Sequence, residues 1–248
     1  MIHFLAALAS FLGLAGSPLA EARILEIRWH GQSFFEVRTS KGTRIVFDPH
    51  AIENYGRKTV EADLVLVSHL HTDHMQLGVI ANPKRKEIFG LKVVGKRQDW
   101  NHVEETFRDV SIRTMGVYHD HVGGMERGKN TVFILEVDGL KLVHLGDLGH
   151  MLTEDQVKQI GPVDILMIPV GGVYTINGGE AKQVAAQLRP KHCILPMHYG
   201  TRVYDELLPP DEFLDEQKNV KRFVSNLLSV DAAGKPPPEP LIAILEWK

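Results

Sequence analysis

DLVLVSHLHTDH, residues 63–74, passes within one short segment from an unbroken apolar run to three histidines and an aspartate. Leu64 to Val67 shows no polar alternation, which predicts a strand buried on both faces. The strand should end at Ser68, placing His69 to His74 in the loop at its carboxyl end, where open α/β sheets hold their ligands. In extended chain, residues two apart point the same way, so His69 and His71 can share one metal. A tightening turn then lets Asp73 and His74 face a second. Imidazole and carboxylate donors suit zinc, and also manganese or iron. The bland alternative is a polar loop that happens to be His-rich. Such a density of ligand types directly after a buried strand weighs against it.

Working outward, ILEIRW (24–29), SFFEV (33–37) and TRIVFDP (43–49) read as an opening antiparallel meander, with a turn at Lys41 and Gly42. Further along, KVVG (92–95) and residues 110–118 read as strands. TVFILEV (131–137) and LKLVHLG (140–146) are joined by Asp138-Gly139, a two-residue hairpin signal. TEDQVKQIG (153–161) is a short amphipathic stretch before the buried strand DILMIPV (164–170). GGEAKQVAAQLRP (178–190) reads as a helix stopped by Pro190, and HCILPM (192–197) as the next strand. Strand, helix, strand from Asp164 to Pro196 predicts a parallel crossover. The fold class expected is α/β with mixed sheets and helices outside. AAGKPPPEP (232–240) is a stiff connector to a closing strand, too near the end to separate domains.

The chain has 248 residues, enough for one large core, and residues 23–248 are expected to form a single domain. A net charge of −3 gives no reason to expect nucleic acid or an anionic membrane as partner. Cys193 is the sole cysteine, so disulfides and thiolate metal sites are excluded and any metal must be held by imidazole and carboxylate. Residues 1–22 are apolar and close on Ala20-Glu21-Ala22, an A-x-A pattern suited to signal-peptide cleavage. Gly13, Gly16 and Pro18 break the stretch too often for a spanning helix. Its amino-terminal part lacks Lys and Arg, which argues the other way. With the leader cleaved, the mature chain starts near Arg23 and is periplasmic or secreted. Uncleaved, it is cytoplasmic.

Two metals need more donors than one loop holds. GVYHDHVGG (116–124) offers His119 and His121, HLGDLGH (144–150) offers Asp147, and PMHYGT (196–201) offers His198. Each is a polar ligand at a strand end beside glycine, which permits close backbone approach. Asp147 could bridge both metals. Arg127, Lys129 and Asn130 follow the His119 motif, and Tyr174, Tyr199 and Arg202 lie beside other site motifs. Arg127 or Arg202 could recognise a carboxylate or phosphate, and Tyr199 could donate a proton or bind an oxyanion. Solvated surface charge and simple packing are the plain alternatives.

These motifs, H-x-H-x-D-H followed by a lone His, an Asp and a final His, resemble the metallo-β-lactamase superfamily from about Ile24 to Tyr204. WHGQSFFEV (29–37), the FDP turn (47–49), PVGGVYTI (169–176) and PMHYGT look like the branch that includes ascorbate-6-phosphate lactonase and uncharacterised relatives. The resemblance implies a four-layer αββα sandwich. It implies that His69, His71 and His119 hold one metal, that Asp73, His74 and His198 hold a second, and that Asp147 bridges them. His119, followed by Asp120 and then Gly123 and Gly124, fits the family pattern better than His121. His144 and His150 are expected to be structural or to orient ligands, and His30, which precedes Gly31 where many relatives place His after the glycine, is not expected to orient them.

The chemistry implied is that of a metal-dependent hydrolase with two divalent ions per chain, zinc first and manganese second. A hydroxide shared by the metals and aimed by Asp73, the catalytic carboxylate, would cleave an ester, lactone, amide or phosphoester. The substrate expected is a small anionic or polar molecule. The competing readings are a mononuclear iron oxidoreductase of the same fold and a non-catalytic metal-binding protein. The complete Asp73, His74 and His198 set argues against both. β-Lactam hydrolysis is not expected, because the second-metal aspartate and histidine of HTDH resemble the wider hydrolase group, whereas true zinc β-lactamases usually carry a cysteine ligand there or lack this bridging aspartate pattern. Oligomer formation is left open.

Overall fold

The computed structural model describes residues 22–56 and 59–248. The expected leader therefore lies outside the described residues, save Ala22. The first strands are β1 (Ile24–Trp29), β2 (Phe35–Arg38), β3 (Arg44–Phe47), β4 (Leu64–Val67) and β5 (Lys86–Phe89). A hairpin of β6 (Leu91–Val94) and β7 (Arg97–Trp100) follows, then β8 (Glu104–Phe107), β9 (Val110–Tyr118), β10 (Lys129–Val137) and β11 (Leu140–His144). Helix α1 (Glu154–Ile160), β12 (Ile165–Pro169), α2 (Gly178–Leu188) and β13 (Cys193–Met197) come next. The chain closes with α3 (Asp211–Leu214), β14 (Val220–Arg222), β15 (Leu227–Asp231) and β16 (Leu241–Ile244).

Two mixed sheets result. One runs β15-β1-β2-β3-β4-β5 and the other β14-β16-β13-β12-β11-β10-β9-β8. The opening meander is antiparallel, and β12 and β13 are parallel across α2, as the sequence predicts. Asp138 and Gly139 both take positive φ, 54° and 87°, the twist that a two-residue hairpin between right-handed strands requires. Both longer helices start on a reciprocal cap: Thr153 with Gln156 on α1, and Asn177 with Glu180 on α2. Each satisfies two N–H groups that would otherwise be unpaired.

The sheets face each other through alternate residues. Leu25, Ile27, Phe35, Val37, Ile45, Phe47, Leu64 and Leu66 enter the main core from the first sheet. Each buried leucine there contributes roughly 2 kcal/mol. Phe47 meets Phe133 of the second sheet edge-on and stacks flat on His144 at 4.8 Å. The remaining faces are also covered, which is why β4 is apolar throughout. Val46, Val65 and Val67 pack outward against Val79 and Ile80. Helix α2 lays Ala181, Val184 and Leu188 on the second sheet. The αββα order therefore holds, with the layer over the first sheet thinned to a loop and one-turn 3-10 helices among the described residues.

Candidate metal centre

Strands β9, β11 and β13 all end at one edge of the second sheet, because β9 and β11 flank the reversed β10 and β11 to β13 run parallel. His119 follows β9, Asp147 follows β11 and His198 follows β13. The loop 69–74 meets them from the end of β4. Its tightening turn is set by a backbone bond from His74 N to His71 O, 3.0 Å long.

Four of these imidazoles converge on one atom. Asp147 Oδ2 lies 3.1 Å from His198 Nε2, 3.2 Å from both His74 Nε2 and His119 Nε2, and 3.9 Å from His69 Nε2. On one side, ligand atoms of His69, His71 and His119 fall within 4.8 Å of one another. On the other, those of Asp73, His74 and His198 do the same. His74 Nε2 is buried with no hydrogen-bond partner of proper geometry, although it faces a carboxylate. An unpartnered buried nitrogen is costly unless something else takes its lone pair. The residues present thus fit divalent cations on two independent grounds, donor chemistry and an orphaned donor atom.

Further hydrogen bonds set the angles of the ligands. Asp48, at the end of β3, accepts from Ser68 N at 2.7 Å and Ser68 Oγ at 2.6 Å, and its Oδ2 lies 3.1 Å from His74 Nδ1. A proton on Nδ1 shared with Asp48 leaves Nε2 of His74 free to ligate. Asn130 Oδ1 accepts from the Asp147 backbone N–H while its amide donates to Leu145 O, so the Asp147 turn is held at both ends. Glycine makes the approach possible. A Cβ on Gly149 would sit 2.2 Å from the His119 carbonyl carbon, and one on Gly146 would sit 2.3 Å from Asn130 Oδ1.

The electrostatics are set by buried carboxylates packed among imidazoles. Burial alone would raise the Asp147 pKa, but His198, His74 and His119 around it hold it well below the usual carboxylate range. Burial disfavours a proton on His74, yet the Asp147 and Asp48 carboxylates outweigh it and raise its pKa well above the ordinary value. Burial lowers the pKa of His69 and His71, keeping their lone pairs available. His71 is exposed and Asp73 half-buried, so the site opens to solvent on their side. Cys193 is buried at the start of β13, the opposite end of the strand from His198, with its thiol pushed up to about 12 by burial.

Residues 26–198 match the family model of the beta-lactamase superfamily domain. A UPF0173 metal-dependent hydrolase of Carboxydothermus hydrogenoformans is 30% identical, covering 71% of this chain and 85% of that protein. One from Thermococcus onnurineus is 28% identical over 72% of this chain and 86% of its own length. A crystal structure from Thermotoga maritima, described as of the metallo-β-lactamase superfamily, superposes with a TM-score of 0.68 at 36% identity, covering 90% of this chain and 98% of that one.

The chain belongs to the metallo-β-lactamase superfamily.

Within this superfamily member the other residues singled out in the sequence fall into distinct places. His121 is exposed in the loop beyond His119. His144 donates from Nε2 to Ser33 O, and His150 Nε2 accepts from Tyr118 N, so both brace the backbone around the ligands. His30 faces Glu36 at 3.3 Å. Lys129 pairs with Asp99 and caps the Trp100 ring, and Asn130 is wholly buried, so neither faces substrate. Tyr199 is buried and stacked on Trp29 at 5.1 Å, and its pKa is pushed up by burial. It lines a separate cleft of about 250 Å³ with Arg202, whose guanidinium lies over Trp247 at 4.9 Å. Arg127 instead lies over the Tyr174 ring at 4.5 Å, on the loops flanking the metal ligands. Sequence reasoning noted Asp48 only as part of the FDP turn and passed over Ser68 as an orienting group. The signal available was position: Asp48 ends a strand parallel and adjacent to β4.

Proposed function

We propose that this chain is a metal-dependent hydrolase holding two divalent cations, zinc or manganese, and cleaving an ester, lactone, amide or phosphoester bond. The observation that carries it is the convergence of four imidazole Nε2 atoms on the single oxygen Asp147 Oδ2, with ligand triads on either side. A single iron would leave one triad without a partner, so two sets of donors favour the hydrolase over the mononuclear oxidoreductase. The solved Thermotoga relative, described as a candidate Zn-dependent hydrolase, and the curated metal-dependent hydrolases support the same reading.

His69, His71 and His119 would hold one ion, Asp73, His74 and His198 the other, and Asp147 both. When bound, such ions acidify a water towards a pKa of about 7 and stabilise charge developing on the substrate oxygen. The protein's own part is orientation. Asp73 is half-buried at the open side, where it would accept a hydrogen bond from the attacking water and aim its lone pair at the electrophile. Asp48 and Ser68 hold the orientations of the His74 and His69 rings. Five neutral imidazoles and two carboxylates fall short of neutralising two dications, which favours an anionic or polar group on the substrate. The leader reading belongs with this proposal: β1 starts at Ile24, directly after the A-x-A pattern, so cleavage at Ala22 would spare the first ladder.

The test is His71→Ala in zinc- or manganese-loaded protein. Turnover of p-nitrophenyl acetate or bis-p-nitrophenyl phosphate should fall at least a hundredfold with the fold intact by circular dichroism, since His71 is exposed. Undiminished turnover would remove the site assignment.

A further inference from the structure

Large apolar side chains left in solvent are few, and half of those among the described residues crowd the same three loops. Met125 is 81% exposed, Val173 54%, Leu208 52% and Tyr174 37%. Met125 lies in the loop after His119, Val173 and Tyr174 in the loop after β12, and Leu208 in the loop after His198. The middle loop is fastened to the ligand itself, with Gly171 N donating to His198 O at 3.1 Å. The loops also touch one another. Leu208 N donates to Gly171 O and Gly200 N to Leu208 O, while Arg127 lies over Tyr174 with Nη2 3.5 Å from Val173 O. Val173 is β-branched yet held at φ 58°, a left-handed conformation such residues avoid.

Resting on the hydrolase reading above, we propose that these loops form an apolar collar that binds an acyl or aryl substituent of the substrate beside the metal centre. Arg127, set within the collar, adds a cation for a polar or anionic group on the same molecule. The substrate class is therefore amphiphilic: a hydrolysable head at the metals and a hydrocarbon portion on Met125, Val173, Tyr174 and Leu208. A purely polar substrate would leave this surface wet, and scattered apolar exposure would not gather at one mouth. Hydrocarbon contact supplies binding energy away from the reacting bond, which positions it.

Two measurements test the collar apart from the chemistry. The first compares kcat/KM for p-nitrophenyl acetate, butyrate and octanoate in the metal-loaded enzyme. The octanoate ester should be favoured by at least about tenfold, and the Val173→Ser, Leu208→Ser double variant should lose most of that ratio. The second is calorimetric titration of chelator-treated protein with octanoate against acetate. Octanoate should bind, acetate should not, and the double variant should weaken octanoate binding about tenfold or more. Ester hydrolysis without chain-length dependence would overturn the collar while leaving the hydrolase. Octanoate binding that depends on Leu208, with no ester turnover, would overturn the hydrolase reading and leave the collar as a site for an apolar anion. Sedimentation of wild type and variant guards the remaining case. A dimer that dissociates in the variant would assign the surface to a second copy of the chain and overturn the proposal.

Discussion

Asp48 makes no approach to substrate, yet three groups of the site depend on it: the Ser68 N–H, the Ser68 hydroxyl and His74 Nδ1. Asp48→Ala should weaken metal binding about tenfold to a hundredfold, measured by competition with a chromophoric chelator. Equal affinity in the variant would show that His74 needs no orientation. His50 gives a second residue-scale expectation. Its Nε2–H donates to His30 O and Gly31 O and its Nδ1 accepts from Ile52 N, so only the neutral ring fits. Burial, with His74 nearby, lowers its pKa from 6.5 to about 4. The unfolded chain then binds the proton more readily, so stability is complete above pH 6.5 and declines as pH falls from there towards 4. That shift corresponds to about 3 kcal/mol over the window. His50→Gln should flatten the acid limb of the melting temperature between those limits, and an unchanged limb would assign it to other groups.

Elements matter here because strand ends carry the ligands. The sheet pattern was legible wherever apolar residues ran without interruption or alternated cleanly. Ile24–Trp29, Leu64–Val67, Val110–Tyr118 and Ile165–Pro169 fall where the sequence places them. The ligand loops were legible too, since a His or Asp after an apolar run survives any small error in strand bounds. Less legible were β5, β7, β8 and β14, whose residues are largely charged or half-exposed. They lie at sheet edges or in the separate hairpin, where one face or one partner is missing and no hydrophobic period develops. Substrate contacts were the least legible. Tyr199 adjoins a ligand in sequence, but the positive φ of 50° at His198 turns the chain sharply, and Tyr199 stacks on Trp29. Sequence adjacency says nothing about such a turn. The close approach of loops gives a test at this scale. Gly149→Ala, with its Cβ driven against the His119 backbone, should lower the melting temperature by several degrees and reduce metal content. Gly42→Ala, where φ is positive but nothing lies within 4 Å of the added Cβ, should cost only about 1 kcal/mol of backbone strain and leave metal content intact.

At the scale of the whole molecule, the fold is a means of bringing the ends of five strands to one edge. Asp48 and the 69–74 loop come from one sheet, and His119, Asp147 and His198 come from the other. The metal centre therefore spans the two sheets, and its ions would tie them together. Metal-free protein should melt at lower temperature than loaded protein, by an amount that grows with free metal concentration. Amino-terminal sequencing of protein from its native host bears on the leader: Arg23 at the terminus agrees with cleavage after Ala22, and Met1 contradicts it. The central claim is two ions bridged by Asp147, and metal analysis of purified protein titrated with zinc tests it most directly. Close to two equivalents per chain is the expected result, falling to one or fewer in Asp147→Ala. A single tightly held iron per chain, unaffected by loss of His74 or His198, would contradict it.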